Sequence, residues 1–299
     1  MHGGHLGPEF LAKLELLRIA TRRLHPGRFA ARTRSRRLGS GIDFADHRPY
    51  TPGDDFKAID WPLYARLDQL MIRLSEEETE VHVHLLVDVS RSMDLTVGAS
   101  TTDPKSDVAR VVATALAYVA LSNLDQVHVW PFARELGRPL ALARRRSEVL
   151  RVEPLLRAAE LAPGTDLVQA VRSFLGLRPP RGVVVIVSDL GDPSWSKAVD
   201  HLLHERHDVG IVHLQTHGEI DLPLIGEQLD LVDGETGQIL RGVTRAEMSA
   251  VRKRIRDERE RVQRYCRAHG IPFVQTVTGA PTDLEHLVLG LFRTRGILR

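Results

Sequence analysis

The sequence predicts an α/β fold built on a doubly wound, mostly parallel sheet with an N-terminal accessory segment, and three observations predict it. Apolar, β-branched runs recur at 81–88, 126–132, 181–190, 209–216 and 272–277. Stretches of helical periodicity separate them. The runs are nearly continuous in hydrophobicity instead of alternating, as strands are when both faces of a sheet are covered by helices. Right-handed crossovers then make double winding the default.

Along the chain, residues 7–20 place Phe10, Leu11, Leu14 and Leu17 near one face of a short amphipathic helix. The run 21–37 holds seven arginines and no acid, so residues 1–38 read as a helix and an Arg-rich linker. Residues 39–80 form a second segment. Its Pro-Gly-Asp-Asp is a turn, flanked by Phe44, Tyr50, Phe56, Ile59, Trp61 and Tyr64. These anchors are too few for a separate core, so the segment is expected to pack on the main domain, residues 81–299.

Within that domain, Asp103 and Pro104 look like the N-cap and first position of a helix running to about Ser122. Helices are expected near 147–158, 166–175, 194–207, 244–269 and 283–292. Residues 229–242 read as a hairpin with Gly234 and Gly237 in its turn.

Composition narrows the function classes. The 42% hydrophobic and 27% charged content is that of a globular chain, and 299 residues are ample for a sizeable core. A net charge of +2 gives no general affinity for nucleic acid. One cysteine, Cys266, excludes an intramolecular disulfide and a cysteine metal cluster. No stretch approaches the roughly 18 apolar residues of a membrane-spanning helix, and no signal-peptide core opens the chain. A soluble, cytoplasmic protein is the expectation.

The chemistry is expected where open α/β sheets bind ligands, beyond the carboxyl ends of strands where their order reverses. The first strong strand ends in Asp-Val-Ser-Arg-Ser-Met, giving Asp88, Ser90 and Ser92. A later one ends in Ser-Asp-Leu-Gly-Asp, giving Ser188, Asp189 and Asp192. Between them lies Pro-Gly-Thr-Asp, with Thr165 and Asp166. All are oxygen donors, which suits Mg²⁺ first, with Mn²⁺ and Ca²⁺ as alternatives, and not zinc. Two aspartates at adjacent strand ends repel, and a dication between them offsets the repulsion. Each residue also has a plainer reading as a cap or turn former. The combination and its placement set the metal reading above those.

His82 and His84 share one strand face and read as core or helix-facing side chains. Asp46, His47 and Arg48 have no supporting neighbours, and phosphate-binding glycine loops are absent. The lone Cys266 reads as a small buried apolar group.

The arrangement resembles the metal-ion-dependent adhesion site of von Willebrand factor type A domains. Asp88, Ser90 and Ser92 match its first motif, Thr165 its second and Asp189 its third. The preceding GIDFADHRPYTPGDDFKAIDWPLYARLDQL is similar to the signature of the bacterial family called domain of unknown function 58, and the resemblance covers about residues 39–292. It implies a metal-dependent interaction protein without catalysis, partnered with a MoxR-type AAA+ ATPase or its client, which would donate an acidic residue to the metal. Two rivals are a metal-dependent phosphohydrolase and a nucleic-acid adaptor using residues 21–37. The first lacks an Asp-x-Asp-x-Thr nucleophile motif and a general base.

Overall fold

The computed structural model describes residues 12–17, 19, 47–52, 54, 56, 59–73, 81–94, 104–159, 161–216, 219, 229–232, 238–278 and 297–298. The chain divides into two compact units, residues 25–80 and residues 1–24 together with 81–299.

In the smaller unit, β1 (His47–Pro49) pairs antiparallel with β2 (Met71–Arg73). Helix α1 (Trp61–Leu67) starts where the Asp60 carboxylate accepts the Leu63 N–H at 3.0 Å, and it ends at Asp68 in the left-handed conformation. Of the anchors read from the sequence, Trp61 is 58% exposed and lies edge-on to Tyr64, Phe56 is also exposed, Tyr50 and Ile59 are half-buried, and Phe44 lies outside the described residues. The small buried set of this unit includes Asp60 and Ile72 instead.

In the larger unit, six strands form one sheet in the order β10-β7-β6-β3-β4-β5, parallel except for β5. They are β3 (His82–Asp88), β4 (Gln126–Phe132), β5 (Leu140–Leu142), β6 (Val183–Ser188), β7 (Asp208–Thr216) and β10 (Phe273–Thr278). The sheet is thus mixed α/β and mostly parallel. Every residue of β6 and β7 is buried, the consequence of helices on both faces. Val83, Leu85, Val87, Val183, Val185 and Val187 face one side, with α2 (Lys105–Ser122) over them. Leu86, Val184 and Ile186 face the other. There they meet α4 (Leu167–Gly176), α5 (Trp195–His204) and α6 (Arg245–Ala268).

From β3 the chain steps through α2 to β4 on one side, and β6 later takes the place on β3's other side. Strand order therefore reverses between β3 and β6, whose last residues carry the motifs read from the sequence.

Several boundaries differ from expectation. Helix α2 begins at Lys105, with Pro104 extended in the cap position and not inside the helix. The helix expected at 147–158 is a 3-10 segment, Arg146–Arg151, followed by α3 (Val152–Ala158). Pro154 has no N–H to give and must sit in the first turn, which fixes the start of α3. Leu14, Leu17 and Ile19 are buried in the core of the larger unit, although Leu16 between them is exposed. Strands β8 (Leu229–Val232) and β9 (Ile239–Val243) form the expected hairpin. Its glycine turn, the arginine run 21–37, Phe10, Leu11 and the helix expected at 283–292 lie outside the described residues.

Trp195 opens α5, fully buried, with its ring edge-on to Tyr265 and its indole N–H donated to Glu258. Trp195→Ala is expected to lower stability by about 3–5 kcal/mol. Trp61→Ala, on an exposed ring, is expected to stay within about 0.5 kcal/mol. Denaturant midpoints of the two variants check the contrast, and equal losses would contradict it.

Candidate metal centre

The site begins with the end of β3. Its apolar run stops at Asp88, which is buried, and the chain then turns into a 3-10 segment, Arg91–Asp94. The Asp88 carboxylate is held by two donors: Ser90 N–H to Oδ1 at 2.9 Å and Ser188 Oγ to Oδ2 at 2.5 Å. Ser188 ends the neighbouring strand β6, so the two strand ends are joined through this carboxylate. Ser90 and Ser92 hydroxyls lie 3.0 Å apart, and the Ser92 hydroxyl in turn bonds to Asp189.

Asp189 begins a tight turn. Its Oδ1 accepts the Gly191 N–H at 3.1 Å, and Leu190 takes φ of 54°, a left-handed conformation unusual for a branched residue. The Leu190 N–H is satisfied by Ser188 Oγ at 2.9 Å, which helps hold the turn.

The loop carrying Thr165 is clamped to the first motif. Ala162 N–H donates to the Val89 carbonyl at 3.3 Å, and Arg91 N–H donates to the Ala162 carbonyl at 3.0 Å. Gly164 then has φ of 79°, which allows the bend before Thr165. The Thr165 hydroxyl oxygen is buried and has no hydrogen-bond partner among the described residues, in a fold where buried hydroxyls ordinarily find one. Asp166 and Asp192 do structural work. Asp166 caps α4 through the Gln169 N–H, and Asp192 accepts the N–H groups of Leu167 and Ser194.

The sequence reading missed the strongest charge at this site. Lys105, 1% exposed, places Nζ 2.8 Å from Asp189 Oδ2 and 2.5 Å from Glu219 Oε1. Glu219 is tied to the end of β7, where its Oε2 accepts the Thr216 N–H at 2.7 Å and its own N–H reaches Thr216 Oγ1 at 3.1 Å. The two pairings span 84 and 114 residues of chain. The only local hint was a lysine, one of five in an arginine-biased chain, directly after the proline that starts α2.

Electrostatics separates the two aspartates. Burial, then the charge of Asp189, pushes the Asp88 carboxyl up to about 7 against the hydrogen bonds from Ser188 and Ser90. Burial also raises Asp189, but the ammonium of Lys105, with Ser92 and the Gly191 N–H, outweighs it and holds that carboxyl below the usual range. Lys105 loses to burial less than it gains from Asp189 and Glu219, so it stays protonated. His213, beside Asp189, donates its Nε2–H to the Asp189 carbonyl when in that tautomer, and burial depresses it to about 4.

Among the described residues no three His, Cys, Asp or Glu side chains form a metal-binding group. A cation here must therefore take hydroxyl oxygens, and the residues fit a hard dication on that basis. Asp88 is a buried carboxylate with no cationic side chain paired to it among the described residues. The Ser90 hydroxyl adjoins it and the Ser92 hydroxyl bridges from Ser90 to Asp189, while the loop clamped to this motif carries the orphaned Thr165 hydroxyl. The site residues read from the sequence lie at the ends of adjacent strands and on the loop clamped between them.

His84, on the same strand as Asp88, serves the core at the opposite end of the sheet. His84 is buried against Phe174 and His128, with Nε2 at the Pro180 carbonyl, and burial lowers it to about 3. Burial pushes the Cys266 thiol up to about 12, which makes it a packing group.

Asp88 gives a pH signature. Its carboxyl titrates near 7 in the folded protein and near 3.8 when exposed, so between those values the folded chain keeps a proton that the unfolded chain has lost. Stability contributed by Asp88 is therefore full below about 4 and lost as pH rises towards 7. In chelator, wild type should lose about 2–3 kcal/mol relative to Asp88→Asn between about pH 5 and about pH 7. Denaturation curves that run parallel for the two proteins would show that Asp88 does not titrate there.

Residues 46–265 match a sequence family described as Protein of unknown function DUF58. An uncharacterized protein of Mycobacterium bovis, Mb1516, is 26% identical over 205 residues, 67% of this chain and 63% of the relative. Uncharacterized protein Rv1480 of Mycobacterium tuberculosis matches to the same extent. The chain thus spans less than two thirds of the length of these curated relatives. Among solved structures, BatB from Bacteroides thetaiotaomicron is similar at 14% identity and a TM-score of 0.40, over 66% of this chain and 90% of that one. An aerotolerance-related membrane protein from Bacteroides fragilis is similar at 15% identity and a TM-score of 0.37, over 66% and 91%. No helix among the described residues is long and apolar enough to cross a membrane.

Proposed function

The chain belongs to the DUF58 family, and on that premise we propose that it is a cation-dependent protein-interaction module of the von Willebrand factor A type, acting by binding and not by catalysis. Asp88, Ser90, Ser92, Thr165 and Asp189 would hold Mg²⁺, or Mn²⁺ or Ca²⁺ in its place, and leave a position for an acidic side chain of the partner. The family resemblance points to a MoxR-type AAA+ ATPase, or a client it remodels.

The observation that carries this reading is Asp88. It is a buried carboxylate beside a second carboxylate, without a paired cationic side chain among the described residues, and pushed up to about 7. A dication at this point would keep Asp88 ionised and give the orphaned Thr165 hydroxyl a partner. Hydroxyl ligands add no charge, so the bound metal would keep enough positive character to take a further carboxylate.

An open groove of about 490 Å³ beside the Thr165 loop supports an acidic partner. Val89, Phe132, Leu155 and Ala162 line it together with the exposed Arg134 and Arg138, whose two positive charges outnumber the one acid of the lining, Glu135. An apolar floor with basic groups beside it complements a segment that carries both an acid and an apolar side chain. His213, the histidine beside Asp189, is buried and engaged with a backbone carbonyl, which leaves it poorly placed to act as a general base.

Affinity for a purified MoxR-type ATPase, measured for wild type and Asp88→Ala with Mg²⁺ and with chelator, tests the proposal. Wild type with Mg²⁺ should bind roughly tenfold or more tightly than the other three combinations. Equal affinities across all four, with circular dichroism showing both proteins folded, would remove the metal bridge.

A further inference from the structure

Lys105 occupies an improbable position. An ammonium at the first residue of an 18-residue helix meets the positive end of the helix dipole, and burial opposes its charge as well. Among the described residues, the carboxylates of Asp189 and Glu219 offset these costs. One of the two is the third-motif aspartate, which the function proposed above gives to a dication.

We propose that Lys105 is the site's built-in counter-ion: its ammonium competes with the divalent cation for Asp189 and thereby sets the metal affinity, with Glu219 holding the lysine in place. The inference rests on the metal-site reading. With Lys105 on Oδ2 and the Gly191 N–H on Oδ1, both oxygens of Asp189 already have a donor. A dication drawing on this carboxylate meets an ammonium 2.8 Å from one of its oxygens, and the two cations repel each other through a largely buried site. Uptake of the metal therefore weakens the hold of Asp189 on Lys105 and shifts the lysine towards Glu219. Because Glu219 closes the turn after β7, cation uptake bears on three strand ends together.

Charge counting separates this competition from a general field effect. Asp88, Asp189, Glu219 and Lys105 sum to two negative charges when all are ionised, and Lys105→Met with Glu219→Gln removes one charge of each sign. The double variant keeps the total and leaves no buried ammonium without a partner, so it is the variant expected to fold. If net charge alone governed affinity, it would bind Mg²⁺ as wild type does. Competition at Asp189 predicts tighter binding, because the double variant frees Asp189 Oδ2, the oxygen that the Lys105 ammonium holds at 2.8 Å.

The test is the Mg²⁺ and Mn²⁺ affinity of the full chain by titration calorimetry, with folding checked by circular dichroism. The double variant should bind roughly tenfold more tightly than wild type. Glu219→Gln alone should bind more weakly than wild type, since Lys105 is then left to Asp189. A double variant that binds equally or less tightly than a metal-binding wild type overturns the competition. A wild type that binds neither ion overturns the metal site itself and the competition with it, and the two failures are told apart by the wild-type titration.

Discussion

Two carboxylates at the ends of neighbouring parallel strands impose the constraint on which the site depends. Backbone pairing of β3 with β6 brings the turn after Ser188 alongside Asp88, and Asp189 with it. The pair cannot both ionise cheaply in a buried setting without positive charge. The fold answers asymmetrically: Asp189 receives Lys105 and ionises readily, whereas Asp88 receives neutral donors and is driven to hold its proton. The surrounding features follow from making room for these two groups. They include the left-handed Leu190, the bend at Gly164 and the clamp between Ala162 and the first motif.

The sheet around them is held by burial on both sides. Valines alternate along β6 between α2 on one face and α4, α5 and α6 on the other. That packing fixes the strand ends to within hydrogen-bond tolerance. A site assembled from β3, β6 and a connecting loop requires such a scaffold, because none of the three segments alone places more than part of the oxygen set.

This division explains what was legible in the sequence. The strands and most helices were readable because burial writes itself as local periodicity: Val183–Val187 is apolar throughout, and α6 carries a narrow stripe among charges. Asp88 and Asp189 were readable because they directly follow such runs, where an open sheet puts its ligands. The exact starts of α2 and α3 were less so, since whether a proline takes the cap position, as Pro104 does, or sits in the first turn, as Pro154 does, is decided by its neighbours' packing. Trp61 shows the opposite failure, for a large aromatic in a polar segment suggests burial and this one stands in solvent. Lys105 and Glu219 left almost no local trace. Their meeting depends on α2, β6 and β7 being assembled, and long-range pairing of charges has no period in the chain.

The internal ammonium also bears on how the protein would use a cation. In a structural metal site the ligands have no other counter-ion, so metal binding and folding become one free energy and chelation unfolds the domain. Here Asp189 is neutralised by the chain itself, Asp88 can be neutralised by a proton, and the core on both faces of the sheet is complete without the site. Metal binding would then displace a proton and loosen an ion pair instead of completing a fold. Such an exchange has a smaller net gain than binding to bare carboxylates, which keeps affinity moderate and release easy. A partner that adds its own carboxylate to the metal supplies the extra stabilisation that retains the ion. Cation and partner would therefore bind with positive coupling, each raising the affinity for the other by the same factor.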